Sequence, residues 1–189
     1  RVDHTGGYWQ TAANRAIQDG IANLDAAMPY LSGRGLTRET CEKWRLGYGD
    51  GWSSAEKATR PSILIPWPRG AAYVDGIHYR YLTPDKAGKR YGKFMFPHDA
   101  STGSTGKMTL YRLMDGKSDT LIVAEGEFNA LSCWQTLGCH VVSIGSESNA
   151  DAGNAELTKL AKRYATVIVW ADKPDVAQRI AEALGRDAT

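Results

Sequence analysis

The chain has 189 residues, 42% of them hydrophobic and 23% charged, an ordinary globular balance with length for one large domain or two small ones. No apolar run approaches the roughly 20 residues a membrane helix needs. The opening RVDHTGGYWQ lacks the basic-then-apolar pattern of a secretory signal, so no membrane partner is expected.

The first residue is Arg1 rather than Met, as expected of a processed product or an excised piece. Cys41, Cys133 and Cys139 stand at no C-x-x-C spacing, so this chain alone offers no zinc site. An odd cysteine count without disulfide density fits a reducing cytoplasm. Net charge is only +2, but it is uneven: residues 56–117 carry 11 Lys+Arg against 5 Asp+Glu, and the rest carry 12 against 16. A basic middle beside an acidic remainder suits a polyanion held by one region and a metal held by another, although a basic stretch can also be a solvated face.

In chain order, residues 8–33 read as helix, with Ile17, Ile21, Leu24 and Met28 recurring at three or four. Ser32, Gly33 and Gly35 break the pattern, and Thr37 caps a second helix, TRETCEKW. LGYGDGWSSAEKATRP reads as a Gly- and Ser-rich loop. SILIPW is a short apolar run. AAYVDGIHYRYL reads as two strands turning at Asp75-Gly76. TPDKAGKRYGK and DASTGSTGK are polar loops, and KMTLYRL returns to strand.

From Asp119 onward strand and helix alternate. TLIVAE, HVVSIG and ATVIVWAD are strands, and GEFNALSCWQTLG, NAELTKLAKRY and VAQRIAEALG are helices. That alternation predicts a parallel sheet covered by helices. Ligands bind beyond the carboxyl ends of such strands. The ends here offer Glu125-Gly126, then Ser143 to Glu147, then Asp172 with Asp175 three residues on. One acid at a strand end more often caps a helix. Two at matching ends of one sheet repel unless a cation sits between them. Carboxylate oxygens with open positions suit Mg²⁺ or Mn²⁺, which also bind substrate phosphates. Gly126 is expected to let the backbone turn tightly into a helix whose N-terminus favours phosphate.

LIVAEGEFNALSCWQTLGCHVVSIGSE and VIVWADKPD resemble the two halves of a TOPRIM domain, a module of primases, topoisomerases, some nucleases and recombination proteins. Upstream, YLSGRGLTRETCEKWRLGYGD, RPSILIPWPRGAAYVDGIHYRYL and GKMTLYRL resemble, in order, the segments of the bacterial and phage primase core, so the resemblance covers about residues 30–185. The Glu-Gly-Glu start is similar to the primase-helicase branch. The resemblance puts Glu125 at the general acid/base position and Asp172 at the first Asp of the metal pair. The second Asp falls on Pro174, with Asp175 one residue late as a substitute ligand. The Asp that follows Glu-Gly falls on Asn129, and Gly positions fall on Ala177 and Arg112.

The resemblance implies an α+β module followed by an α/β TOPRIM module with a mainly parallel sheet. The expected divisions are a helical lead-in over 1–29, a basic primase-core-like module over 30–117 and the TOPRIM module over 118–189, lacking its last strand. It implies a DNA primase, a nucleotidyltransferase making RNA primers on single-stranded DNA from NTPs with Mg²⁺ or Mn²⁺. Glu125, Asp172 and Asp175 would hold the metal, with Glu125 catalytic. Arg34, Arg80, Lys93 and Lys107 would hold template or nucleotide phosphates, and a replicative helicase would be a partner. Tyr79, Tyr81, Tyr91 and Phe94 could stack bases or belong to a small β core. The alternatives are another TOPRIM enzyme, a nuclease or topoisomerase-like one, and a non-catalytic nucleic-acid-binding module. STGSTGKMT fails as a phosphate-binding loop because Ser101 replaces the first Gly and Met108 follows the Lys. His4, His78, His98 and His140 have no metal-ligand spacing.

Overall fold

The structure, a computed structural model, describes residues 4–69, 73–90, 98–99, 104–105, 110–145 and 155–185. The chain divides into two compact units, Arg1–Met108 and Thr109–Thr189.

The first unit opens with α1 (His4–Ala22) and α2 (Leu24–Ser32). The single helical stretch expected over 8–33 is therefore two helices, broken at Asn23, whose ψ of 15° leaves the helical range. A third helix, α3 (Arg38–Lys43), starts where the sequence predicts, with the Thr37 hydroxyl accepting the Thr40 N–H at 3.2 Å. Three antiparallel strands follow in the order β1 (Gly47–Ser53), β2 (Ala58–Arg69), β3 (Tyr73–Tyr81). Two-residue strands β4 (His98–Asp99) and β5 (Ser104–Thr105) pair with each other. Helix α1 lies on the sheet, with Ala13 and Ile17 buried against Leu64, Val74, Ile77 and Tyr79.

Two expectations fail in this sheet. The Gly-rich stretch expected to be a loop contains β1, paired with β2 from Gly47↔Leu64 to Ser53↔Ala58. Its glycines are there for packing. A Cβ on Gly47 would stand 2.5 Å from the carbonyl carbon of Gly20 in α1, and one on Gly51 would stand 2.7 Å from the Cβ of Tyr79. In a strand, glycine marks such a close approach of backbones. Nor do Asp75 and Gly76 turn a hairpin. They lie inside β3, where the register shifts between Trp67↔Gly76 and Pro68↔Val74. Asp75 is the extra residue of a bulge. The bulge explains how Val74 and Ile77, three residues apart, both face α1.

The second unit holds β6 (Tyr111–Leu113), β7 (Thr120–Ala124), α4 (Glu127–Leu137), β8 (His140–Ser143), α5 (Ala155–Ala161), β9 (Thr166–Trp170) and α6 (Pro174–Ala183). Its mixed sheet runs β6-β8-β7-β9, with β7 parallel to both neighbours and β6 antiparallel to β8. Leu121 and Val123 of β7 join Val142, Leu157, Leu160, Val176 and Ile180 in one buried cluster. The unit begins at 109 rather than at 118 because β6 pairs with β8, so Tyr111–Leu113 belongs to this sheet and not to the first. An Arg112–Glu156 ion pair ties β6 to α5. The three cysteines are free thiols, and burial pushes Cys41 up to about 11. No described helix is long and apolar enough to cross a membrane.

Candidate active site

The parallel register of the second unit brings the strand ends together. Ala124, last in β7, stands opposite Ser143 of β8 on one side and Trp170 of β9 on the other. The next residues continue the ladder: the Ile144 N–H donates to the Ala124 carbonyl at 3.1 Å, and the Glu125 N–H donates to the Trp170 carbonyl at 3.2 Å. Glu125 and Asp172 therefore leave neighbouring strands at the same end of one sheet. They touch, the Asp172 backbone N–H donating to Glu125 Oε2 at 3.4 Å. Asp172 is exposed and Glu125 half-buried, so the carboxylates stand at a surface.

Two further side chains organise this end. Asn129, in the first turn of α4, donates from Nδ2 to Asp172 Oδ1 at 3.1 Å. Ser143, fully buried, donates its hydroxyl to the Glu125 carbonyl at 3.0 Å and accepts the Gly145 N–H at 2.9 Å. Neither contact follows from local sequence. The hint was that Ser143 ends a strand and that Asn129 stands one helical turn beyond Glu125. Gly126 is the N-cap of α4 with φ −122° and ψ 164°, an extended conformation open to any residue. The tight-turn role expected of it is therefore not needed. A Cβ there would meet nothing within 4 Å.

Asp175 lies in the first turn of α6, after Pro174 in the opening helical position, and its carboxylate is 3.8 Å from Arg179 one turn on. A carboxylate there complements the helix dipole, a structural role. Among the described residues, no three His, Cys, Asp or Glu side chains are grouped so as to hold a metal ion, so Asp175 is not gathered with the other two. Among the described residues, Glu125 and Asp172 supply the carboxylate oxygens at this sheet end. Such a set fits Mg²⁺ or Mn²⁺, since Mg²⁺ is commonly held by one or two protein carboxylates with water and substrate phosphates completing its shell.

In the first unit, Arg34 and Arg80 come together at Tyr30. The buried Arg80 donates from Nε to the Tyr30 hydroxyl at 2.6 Å, and Arg34 Nε donates to the same oxygen at 3.0 Å. The Arg34 guanidinium also lies 5.5 Å from the centre of the Tyr30 ring. Burial pushes the phenol up, but the two guanidinium donors outweigh it and hold the hydroxyl below its ordinary value. Tyr79 and Tyr81 are 6% and 2% exposed, core residues rather than stacking platforms. Lys93, Lys107, Tyr91, Phe94, Ser146 and Glu147 lie outside the described residues.

Solved structures share this architecture. The zinc-binding and RNA polymerase domains of Aquifex aeolicus primase superpose with a TM-score of 0.60 at 16% identity, over 93% of this chain and 52% of theirs. The primase fragment of the bacteriophage T7 primase-helicase protein gives 0.55 at 20% identity, over 82% of this chain and 57% of its own. A DnaG primase catalytic domain bound to single-stranded DNA gives 0.55 at 17%, over 85% and 58%. The chain has the fold of a DNA primase catalytic core. It spans little more than half the length of these primase structures. No family profile and no curated protein sequence matches it.

Proposed function

We propose that the chain is the catalytic core of a DNA primase, a TOPRIM-type nucleotidyltransferase that makes short RNA primers on single-stranded DNA. The observation that carries the reading is the meeting of Glu125 and Asp172 across neighbouring parallel strands, where the Asp172 N–H reaches Glu125 Oε2. Two acidic residues at one sheet end repel unless a cation sits between them. They would hold Mg²⁺ or Mn²⁺, which supplies electrostatic stabilisation to a phosphoryl group under attack. Glu125 accepts the proton of the attacking 3′-hydroxyl, a role worth about 10²–10⁴-fold in rate. The opening N–H groups of α4, directly after Gly126, favour the phosphates of an incoming NTP. The exposed Arg34 binds template or nucleotide phosphates without reading sequence, whereas Arg80, buried against Tyr30, positions that tyrosine. Single-stranded DNA as partner is supported by the DNA-bound primase of the same fold, and a helicase partner by the phage primase-helicase fragment.

The test is primer synthesis on a single-stranded template with labelled NTPs and Mg²⁺ or Mn²⁺, comparing the parent chain with Glu125→Gln. The expected result is metal-dependent short RNA, reduced by about 10²-fold or more in the variant. Template bound by both proteins with no product from either would replace this reading with a binding module. Template degraded by the parent and spared by the variant would replace it with a nuclease.

A further inference from the structure

We infer that Asn129 is a positioning residue that orients the Asp172 carboxylate and confines the Glu125–Asp172 pair to one divalent cation, an inference that rests on reading the pair as a metal-holding site. The three side chains form a short chain of contacts. The Asn129 amide donates to Asp172 Oδ1 at 3.1 Å, and the Asp172 backbone N–H donates to Glu125 Oε2 at 3.4 Å. Each carboxylate thus has one oxygen engaged by an N–H donor. The other oxygen of each, Oδ2 in Asp172 and Oε1 in Glu125, would face the cation.

Charge argues for a single ion. An amide at 129 brings a donor and no charge, whereas a carboxylate at that distance from Asp172 would add a third like charge to the site. Among the described residues no third His, Cys, Asp or Glu is grouped there, so these residues offer two negative charges, matched by one divalent cation. A second ion would have to bring its own counter-charge, such as substrate phosphates. The position of Asn129 makes the contact dependable. It is set in the first turn of α4, whose Phe128, Ala130 and Leu131 are buried, so its backbone is fixed by the packing of the helix. Asn129 is only partly buried, so replacing it leaves the core untouched.

The experiment is Mn²⁺ titration of the full chain without nucleotide, followed by electron paramagnetic resonance of free Mn²⁺ and by calorimetry, on the parent, Glu125→Gln, Asn129→Ala, Asn129→Ser and Asn129→Asp. The parent is expected to take up one Mn²⁺, with uptake lost in Glu125→Gln. Asn129→Ala should weaken binding about three- to tenfold, the net value of one ordinary hydrogen bond at an exposed site, and Asn129→Ser should recover part of it. Asn129→Asp should bind more tightly or take up a second ion. Two ions on the parent, or unchanged affinity in Asn129→Ala and Asn129→Asp, would overturn the role of Asn129 while leaving the pair a metal site. Mn²⁺ uptake that is absent from the parent, or survives Glu125→Gln, would instead overturn the reading of the pair.

Discussion

In the first unit a helix crosses a strand so closely that α1 and β1 meet glycine to glycine, and a Cβ on Gly47 would lie 2.5 Å from the backbone of Gly20. In the second unit α4 leaves β7 through Gly126, where a Cβ would meet nothing within 4 Å. The same residue type at a helix–sheet junction therefore marks opposite conditions. At Gly47 the missing side chain lets two backbones touch. At Gly126 it leaves open ground beside Glu125, where a helix N-terminus begins. The first unit depends on glycine for packing, and the second depends on register to bring Glu125 and Asp172 together.

The sharpest way to break this comparison is Gly47→Ala. The new methyl would meet three backbone atoms of Gly20, at 2.5, 2.8 and 2.8 Å, and no side chain can swing away to make room. Either α1 lifts from the sheet or β1 bends. The expected cost is on the order of 3 kcal/mol, read as a lowered denaturant midpoint. Gly51→Ala should cost somewhat less, because one of its two closest neighbours is the Ser62 hydroxyl, which can rotate, although the Tyr79 Cβ cannot. A Gly47→Ala protein as stable as the parent would mean that α1 does not sit on β1 as described.

A second contrast sits at one end of the first unit's sheet, where acids do structural work of a kind Glu125 and Asp172 do not. Arg60 donates to both Glu56 oxygens, at 2.6 and 2.7 Å, and to Thr83 and Pro84 of the loop after β3. Glu56 accepts the Lys86 N–H, and Asp85 accepts the N–H groups of Ala87 and Lys89 and the Ser53 hydroxyl. The hydrogen bond from Arg60 holds Glu56 below its ordinary value. Burial pushes Asp85 up, but its three donors outweigh that and hold it low as well. A carboxylate whose folded value is depressed stabilises the fold above its unfolded value and loses that contribution as pH falls through the folded one. The parent should therefore lose stability below about pH 4, and Glu56→Gln and Asp85→Asn should lose less over the same range. Denaturant midpoints measured against pH check this, and identical slopes in all three proteins would show that these acids do not lock the loop.

The second unit was the more legible in sequence. Its apolar strands and amphipathic helices alternate without interruption, and Glu125 and Asp172 follow their strands directly, so parallel pairing alone predicts that they meet. The first unit hid its sheet. Glycines that serve close packing in β1 look like loop residues, since local composition carries no record of what lies across from them. Asp75-Gly76 carries a turn signal, but the pairing of β3 with β2 makes it a bulge. The strand at 111–113 was recognisable as a strand, while its partner β8 lies some thirty residues away, beyond local pattern. Asn129 and Ser143 were noticed in the sequence, but their contacts were not foreseen for the same reason: each acts between elements.

The mildest test separates the two glycine junctions from the other side. Gly126→Ala places a methyl in open space on an extended backbone, so no clash or strained φ opposes it. Alanine is a poorer N-cap than glycine, but it also narrows the unfolded ensemble, and these effects oppose each other at about 0.5–1 kcal/mol each. Net stability should stay within about 0.5 kcal/mol of the parent. Function is expected to respond differently. If NTP phosphates approach the start of α4, the methyl intrudes on their path, and the apparent KM for NTP in primer synthesis should rise several-fold with the fold intact. Unchanged KM together with unchanged stability would mean that the ground beside Glu125 is open without being used, and the phosphate path would have to be sought at another strand end of the same sheet.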